Sequence, residues 1–158
     1  MRPPQKTNAL RILDALGVRY ETASYAIADD HMDAVTAAQE MGVAPEVVWK
    51  TLVAHNENNA PVVFCIPSQA ELNLKKAARA VGAKKIELVN LRDLTPLTGY
   101  VRGGCSPIGM KKIYPTWLDE TAALFSRIYV NAGARGLQVI VAPGDLIRAT
   151  GAKTADLT

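Results

Sequence analysis

Between Thr98 and Lys112 the chain reads Thr-Gly-Tyr-Val-Arg-Gly-Gly-Cys-Ser-Pro-Ile-Gly-Met-Lys-Lys, a run that no helix or regular strand can absorb. Gly99, Gly103, Gly104 and Gly109 free the backbone to turn and let a ligand come close to main-chain N–H groups. Any fold must therefore break here into a loop that carries Arg102, Ser106, Lys111 and Lys112 beside it. Such a loop either presents N–H donors to an ester carbonyl or a phosphate, or is a tight structural turn. Its spacing is neither the dinucleotide nor the Walker glycine pattern.

Around that loop the chain divides into short elements. Thr7 or Asn8 can cap a helix carrying Leu10, Ile12, Leu13 and Leu16, which Gly17 stops. Val18, Tyr20, Thr22 and Ser24 alternate as a strand. A second helix begins in Asp30-His31-Met32-Asp33, runs from Ala34 to Met41 and ends at Gly42, and Pro45 opens a short helical turn. Trp49 to His55 and Pro61 to Ile66 read as a hairpin across the polar Asn56-Glu57-Asn58-Asn59. Leu72 to Val81 predicts a helix, Lys85 to Val89 a strand and Leu91 to Leu97 a helical piece. Strands are expected over Tyr100 to Gly103, Tyr114 to Leu118, Leu124 to Val130 and Leu137 to Val141, before a last helix from Pro143 to Thr150. This total of about seven strands and five helices predicts an α+β fold, a curled, mixed but mainly antiparallel barrel-like sheet flanked by helices. No repeat or linker interrupts residues 1–158, which read as one domain.

An apolar fraction of 49% and a charged fraction of 21% suit a globular chain with a core. No window approaches the roughly 20 apolar residues of a membrane helix, and Met-Arg-Pro-Pro is no signal peptide. A cytoplasmic location and no membrane partner are therefore expected. Cys65 and Cys105 are too few for a disulfide framework, and with His31 and His55 they form no ligand-spaced cluster, so neither metal nor cofactor is expected. The net charge of +3 permits a polyanionic partner without requiring one.

Several side chains invite a chemical reading. Lys50, between Trp49 and Thr51 in an apolar strand, either snorkels to water or faces inward toward an anion; position alone favours water. Cys105 as a nucleophile lacks a nearby base, since neither histidine is close in sequence, and Cys65 reads as core. Asn131-Ala-Gly-Ala-Arg-Gly136 reads as a hairpin turn whose Arg135 can reach an anion. Lys75, Lys76, Arg79, Lys84 and Lys85, with Lys111 and Lys112, form either a solvated face or a surface for nucleic-acid phosphates.

Taken in order, these motifs carry a resemblance. Trp49-Lys-Thr-Leu-Val53, Asn73-Leu-Lys-Lys-Ala77, Gly82-Ala-Lys-Lys85, Thr98-Gly-Tyr-Val101, Gly103-Gly-Cys-Ser-Pro-Ile-Gly109 with Lys111-Lys112, Ile128-Tyr-Val130, Gly136-Leu137 and Gly144-Asp-Leu146 span nearly the whole chain. The chain resembles the YbaK/EbsC family, the free-standing relatives of the editing domain inserted in bacterial prolyl-tRNA synthetases. The resemblance implies that fold and a trans-editing activity that clears mischarged Cys-tRNA(Pro), with Cys-tRNA(Cys) as a second substrate. The implied partners are the acceptor end of tRNA(Pro) and prolyl-tRNA synthetase. It moves Lys50 into the site, with Gly103 as the second catalytic position and Tyr25 and Thr51 in the substrate pocket. Gly104, Ser106, Asn131 and Gly133 complete the implied substrate-binding set. Asn131 stands where the YbaK branch often has serine, Met32 or Asp33 stands near where it has an aromatic, and Cys105 fills its variable position.

With no Ser-His-Asp set in reach, an ester can still be cleaved if the substrate supplies the nucleophile. A cysteinyl thiol can attack its own carbonyl, expelling the tRNA hydroxyl as a thiolactone forms. The protein then has to fold the substrate, exclude water and stabilise the oxyanion, with N–H groups near Gly103 and Gly104 as donors and Lys50 as a point charge. Water-driven removal of alanine, serine or threonine, a thiol enzyme using Cys105, and a non-catalytic tRNA- or synthetase-binding module stay open as alternatives.

Overall fold

In the computed structural model, which describes residues 6–27 and 33–158, helix α1 (Asn8–Ala15) turns Ala9, Leu10 and Leu13 inward. The Thr7 hydroxyl caps it by accepting the Leu10 N–H. Strand β1 (Glu21–Ser24) follows, then α2 (Ala34–Met41), capped by Asp33 and closed by Gly42 in the left-handed region. The proposed start of α2 in Asp30-His31-Met32 lies outside the described residues. After a 3-10 turn at Pro45–Val47 come β2 (Trp49–His55) and β3 (Pro61–Pro67), the expected hairpin, and α3 (Leu74–Val81). The short β4 (Glu87–Leu88) and α4 (Leu91–Thr98) lead into the glycine loop. Beyond it lie β5 (Thr116–Asp119), a 3-10 segment Glu120–Leu124, β6 (Ile128–Ala134), β7 (Leu137–Val141), α5 (Pro143–Thr150) and β8 (Lys153–Ala155).

The architecture is α+β, with antiparallel pairing predominating. The strands hydrogen-bond as two sheets, however, and not as one closed barrel. The first has the order β1-β7-β6 and is antiparallel throughout. The second has the order β4-β2-β3-β5-β8, antiparallel through β3 and parallel from β3 to β8. A single parallel bridge between Val48 and Tyr129 stitches the two at the entry to β2. The barrel expectation fails because the seam between β2 and β6 stops at that bridge.

β3 organises the packing because it is buried on both faces. Val62, Phe64 and Ile66 join Ala54, Ala77, Ile86 and Leu157 under α3. Cys65, on the opposite face, joins Leu10, Leu13, Trp49, Ile108, Leu118, Val130 and Val139 between the sheets and α1. Burying a Phe or Ile fully is worth about 1.5–3 kcal/mol each, so this strand anchors both clusters.

Three local expectations change. Tyr100 to Gly103 is no strand, because Thr98 Oγ accepts the Tyr100 N–H and Thr95 Oγ donates to the Tyr100 carbonyl, so side-chain hydroxyls satisfy groups a neighbouring strand would have paired. The Leu124–Val130 strand starts only at Ile128, since Asp119 caps the 3-10 segment before it. β8 adds a parallel edge that its polar three residues do not announce; Asp119 accepts the Leu157 N–H at 2.9 Å and holds the strand's exit in place.

The loop is fastened to α1 at Gly109. Its carbonyl accepts from Asn8 Nδ2 at 2.9 Å, and the Tyr100 hydroxyl donates to the Ile108 carbonyl at 2.7 Å. Gly109 has φ +76°, and a Cβ there would sit 2.8 Å from Asn8 Nδ2 and 3.0 Å from Ile12 Cδ1. Left-handed strain and overpacking together predict that Gly109→Ala costs about 3 kcal/mol and lowers Tm by roughly 10 °C in thermal unfolding. An unchanged Tm would show that this contact does not hold the loop.

Candidate functional site

At the end of the seam, where the two sheets part, a cavity of about 140 Å³ opens. Tyr25, Asp33, Lys50, Thr51, Gly103, Asn131 and Gln138 line it, with Ala34, Trp49 and Cys105. Five of the residues proposed from the sequence, Tyr25, Lys50, Thr51, Gly103 and Asn131, thus meet at one place. They come from the exit of β1, the start of β2, the glycine loop and β6. Larger hollows lie elsewhere, one of about 490 Å³ around His55, Glu87 and Asp93 and one of about 440 Å³ under Ile113. Neither has this convergence of cation, open N–H and amide groups, and such convergence marks a site better than volume does.

Lys50 is half-buried. Consecutive residues Trp49, Lys50 and Thr51 all reach the wall, so the cavity wraps the first residues of β2 instead of lying on one face. Among the described residues Lys50 Nζ has no hydrogen-bond acceptor, and the charge it senses is the carboxylate of Asp33. Hydrogen bonds from Thr36, and then the Lys50 charge, hold the Asp33 carboxyl below the usual carboxylate range. The lining therefore carries one cation and one anion in an otherwise neutral pocket.

The glycine loop divides its work. Gly103, at φ +80°, is exposed on the wall, and among the described residues its N–H meets no acceptor. Its carbonyl accepts from Asn131 Nδ2 at 3.0 Å. Gly104 is not on the wall: its N–H is spent on the Val101 carbonyl at 3.0 Å, so it is no oxyanion donor. A Cβ at Gly104 would stand 3.0 Å from the Arg135 backbone nitrogen and 3.1 Å from the Ala134 carbonyl carbon, so glycine serves close approach there. Ser106 is fully buried and its hydroxyl accepts the Ile108 N–H at 3.1 Å, which shapes the loop. Gly133 packs on Tyr100, where a Cβ would come within 2.9 Å of the ring, and it too stays off the wall.

Asn131 faces the cavity, but its amide is committed. Nδ2 also donates to the Ala134 carbonyl at 3.2 Å, and Oδ1 accepts the Gly133 N–H at 2.6 Å across the β6 bulge. It clamps the loop to the sheet. Arg135 extends the clamp, its Nε donating to the Arg102 carbonyl at 2.9 Å. Of the basic face, Lys76 pairs with Asp156 at 2.9 Å and Lys85 with Glu87 at 2.6 Å, and none of Lys75, Lys76, Arg79, Lys84 or Lys85 lines the cavity. His55 lies in the larger hollow by Glu87, and His31 is outside the described residues. The sequence reading missed Gln138, a polar residue facing inward in the apolar β7. Its signal was the break in Leu137-Gln-Val-Ile-Val141.

The α+β fold is that of a tRNA-editing domain. A crystal structure of a candidate trans-editing enzyme for prolyl-tRNA synthetase matches with TM-score 0.79 and 26% identity, covering 98% of this chain and 99% of that one. A hypothetical protein's crystal structure matches with TM-score 0.86 at 22% identity, over 96% and 99% of the two chains, and speaks for the fold alone. In sequence, the candidate Cys-tRNA(Pro)/Cys-tRNA(Cys) deacylase EbsC of Enterococcus faecalis is 45% identical over 154 residues, 98% of this chain and 94% of that protein. The aminoacyl-tRNA editing domain model matches residues 28–149, and the chain belongs to that family.

Burial pushes the Cys105 thiol up to about 11 against a hydrogen bond with Thr98, and Cys65 up to about 12. A raised value means the thiolate appears only as pH climbs toward 11, so at neutral pH Cys105 stays protonated and weakly nucleophilic. Its alkylation by iodoacetamide at pH 8, followed by mass spectrometry, should be about a hundredfold slower than that of free cysteine and rise about tenfold per pH unit. Fast modification at neutral pH would instead mark Cys105 as an activated thiol.

Proposed function

We propose that the chain, as one domain over residues 1–158, is a trans-editing deacylase that removes cysteine from mischarged tRNA(Pro), and also from tRNA(Cys), in the cytoplasm. The observation that carries this reading is the pairing, in one small cavity, of Lys50 with the Gly103 N–H, neither of which has a hydrogen-bond partner among the described residues. Family membership and the named activity of the relative from Enterococcus faecalis support it.

The chemistry follows from what the wall holds. Lys50 draws the ribose or phosphate oxygens of the terminal nucleotide toward the mouth by charge. The Gly103 N–H faces the ester carbonyl and stabilises the oxyanion as it develops. The substrate's thiol gives its proton to water, and the sulfur, as thiolate, adds to its own carbonyl carbon. The tetrahedral intermediate then expels the ribose oxygen, which takes a proton from water, and the thiolactone hydrolyses once released. A cavity of this size admits a short side chain and little water, so the sulfur competes well against hydrolysis. Asn131 positions the Gly103 peptide without touching the reacting atoms, and prolyl-tRNA synthetase is the partner that supplies mischarged tRNA(Pro).

Purified protein given tRNA(Pro) charged with cysteine, alanine, serine or proline should clear only the cysteinyl ester. Lys50→Ala should lower kcat/KM by about a hundredfold or more, as loss of a preorganised charge or donor does elsewhere. Cys105→Ser should stay within about threefold of wild type, since a protonated bystander contributes no nucleophile. Full activity of Lys50→Ala would sink the site assignment, and clearance of alanine in preference to cysteine would move the substrate while keeping the class. Asn131→Ala should lower kcat by about tenfold or more with KM little changed, because the Gly103 peptide loses its tether; a pure KM effect would contradict the clamp.

A further inference from the structure

Gln138 is 5% exposed, it lines the cavity, and its Oε1 is buried without a hydrogen-bond partner. No other buried side-chain oxygen or nitrogen among the described residues is left in that state. A buried, unpaired amide oxygen costs about 1–3 kcal/mol, so the folded chain keeps an acceptor there at a standing loss of stability. An acceptor held at that cost in a side chain that lines a cavity gains its partner when a bound ligand draws the amide toward it.

Its surroundings narrow the ligand group. Gln138 stands directly opposite Asn131 on β6, with Ala23 of β1 on its other side. Asn131 Oδ1 and Nδ2 are all taken by the bulge and the loop, which leaves Gln138 as the uncommitted amide of the pair. The anionic acceptor on the wall is the carboxylate of Asp33, which accepts the Thr36 N–H through Oδ1 at 2.8 Å. An amide oxygen and a carboxylate on one wall call for a donor that is also a cation. Lys50 and the Gly103 N–H call for oxygen. The cavity thus has a donor-seeking part and an oxygen-seeking part, matching an amino acid ester with its α-ammonium on one side and its carbonyl and ribose on the other. A reacting thiol is a poor match for Gln138, because it must lose its proton to attack.

We infer that Gln138 receives the α-ammonium group of the aminoacyl substrate, with Asp33 supplying the opposing charge at the mouth. The inference rests on the deacylase reading above. It makes Gln138 a specificity residue that separates free aminoacyl esters from N-acylated ones, whatever the side chain.

The test compares Cys-tRNA(Pro) with N-acetyl-Cys-tRNA(Pro) for the wild type, Gln138→Met and Gln138→Glu. Wild type should favour the free amine by about tenfold or more in kcat/KM, as sites that bond a substrate N–H do. Gln138→Met, similar in volume without the acceptor, should lose about tenfold on Cys-tRNA(Pro), chiefly through KM, and nothing on the acetylated substrate. Gln138→Glu restores an acceptor at the position and should retain more of the preference for the free amine than Gln138→Met does. Gln138→Met should also melt at the same temperature or a few degrees higher, because it removes an unsatisfied buried polar group. A purely structural glutamine would lower Tm and reduce both substrates alike, and either result overturns the inference. So does an unchanged Gln138→Met, or a wild type that ignores acetylation. Failure of wild type to clear any charged tRNA overturns the deacylase reading instead, and the inference with it.

Discussion

The Gly103–Gly104 peptide lies so close to the turn between β6 and β7 that no side chain fits between them. The space for a Gly104 Cβ is already within 3.0 Å of the Arg135 backbone. Everything at the site depends on this contact. It brings a loop from the middle of the chain onto the first sheet, while the entry to β2 comes from the second. Asn131 and Arg135 then tie the loop to the sheet, and among the described residues the Gly103 N–H has no acceptor. The glycines divide accordingly: Gly104 and Gly133 make room for backbone and ring, Gly109 seats the loop on α1, and Gly103 lines the cavity.

The cavity is built to hold and orient more than to attack. Its one cysteine is half-buried and protonated, its lysine is a point charge, and its carboxylate caps a helix through one oxygen. A site with these parts accelerates a reaction by restricting the substrate and by placing dipoles where charge develops. That division is what the proposed reaction needs, in which the substrate brings its own sulfur.

Much of this was legible in the residues, for physical reasons that differ by element. Helices closed by glycine, such as α2 and α3, and the β2–β3 hairpin carry their own punctuation, so their bounds are local properties. Tyr100–Gly103 was misread because strand alternation is silent about Thr95 and Thr98 taking over the backbone's hydrogen bonds. β8 and the split into two sheets depend on long-range pairing, which no local pattern encodes. At the site, Lys50 was ambiguous from its strand position and became readable only with the spaced motifs around it. Gln138 stayed hidden because one polar residue in an apolar strand is usually a satisfied one, and its missing partner is visible only in three dimensions.

The strand that anchors both clusters carries a hazard for the chain as it is made. Val62-Val-Phe-Cys-Ile66 is uncharged, rich in β-formers and buried on both faces, and it pairs in parallel with β5, which is synthesised some fifty residues later. Until β5 emerges, that side of β3 is an open template for other chains. Pro61 and Pro67 stand at its two ends, and a proline cannot donate to a growing ladder. The same two residues that frame the hairpin in the finished fold therefore act, during biosynthesis, as stops against runaway self-association.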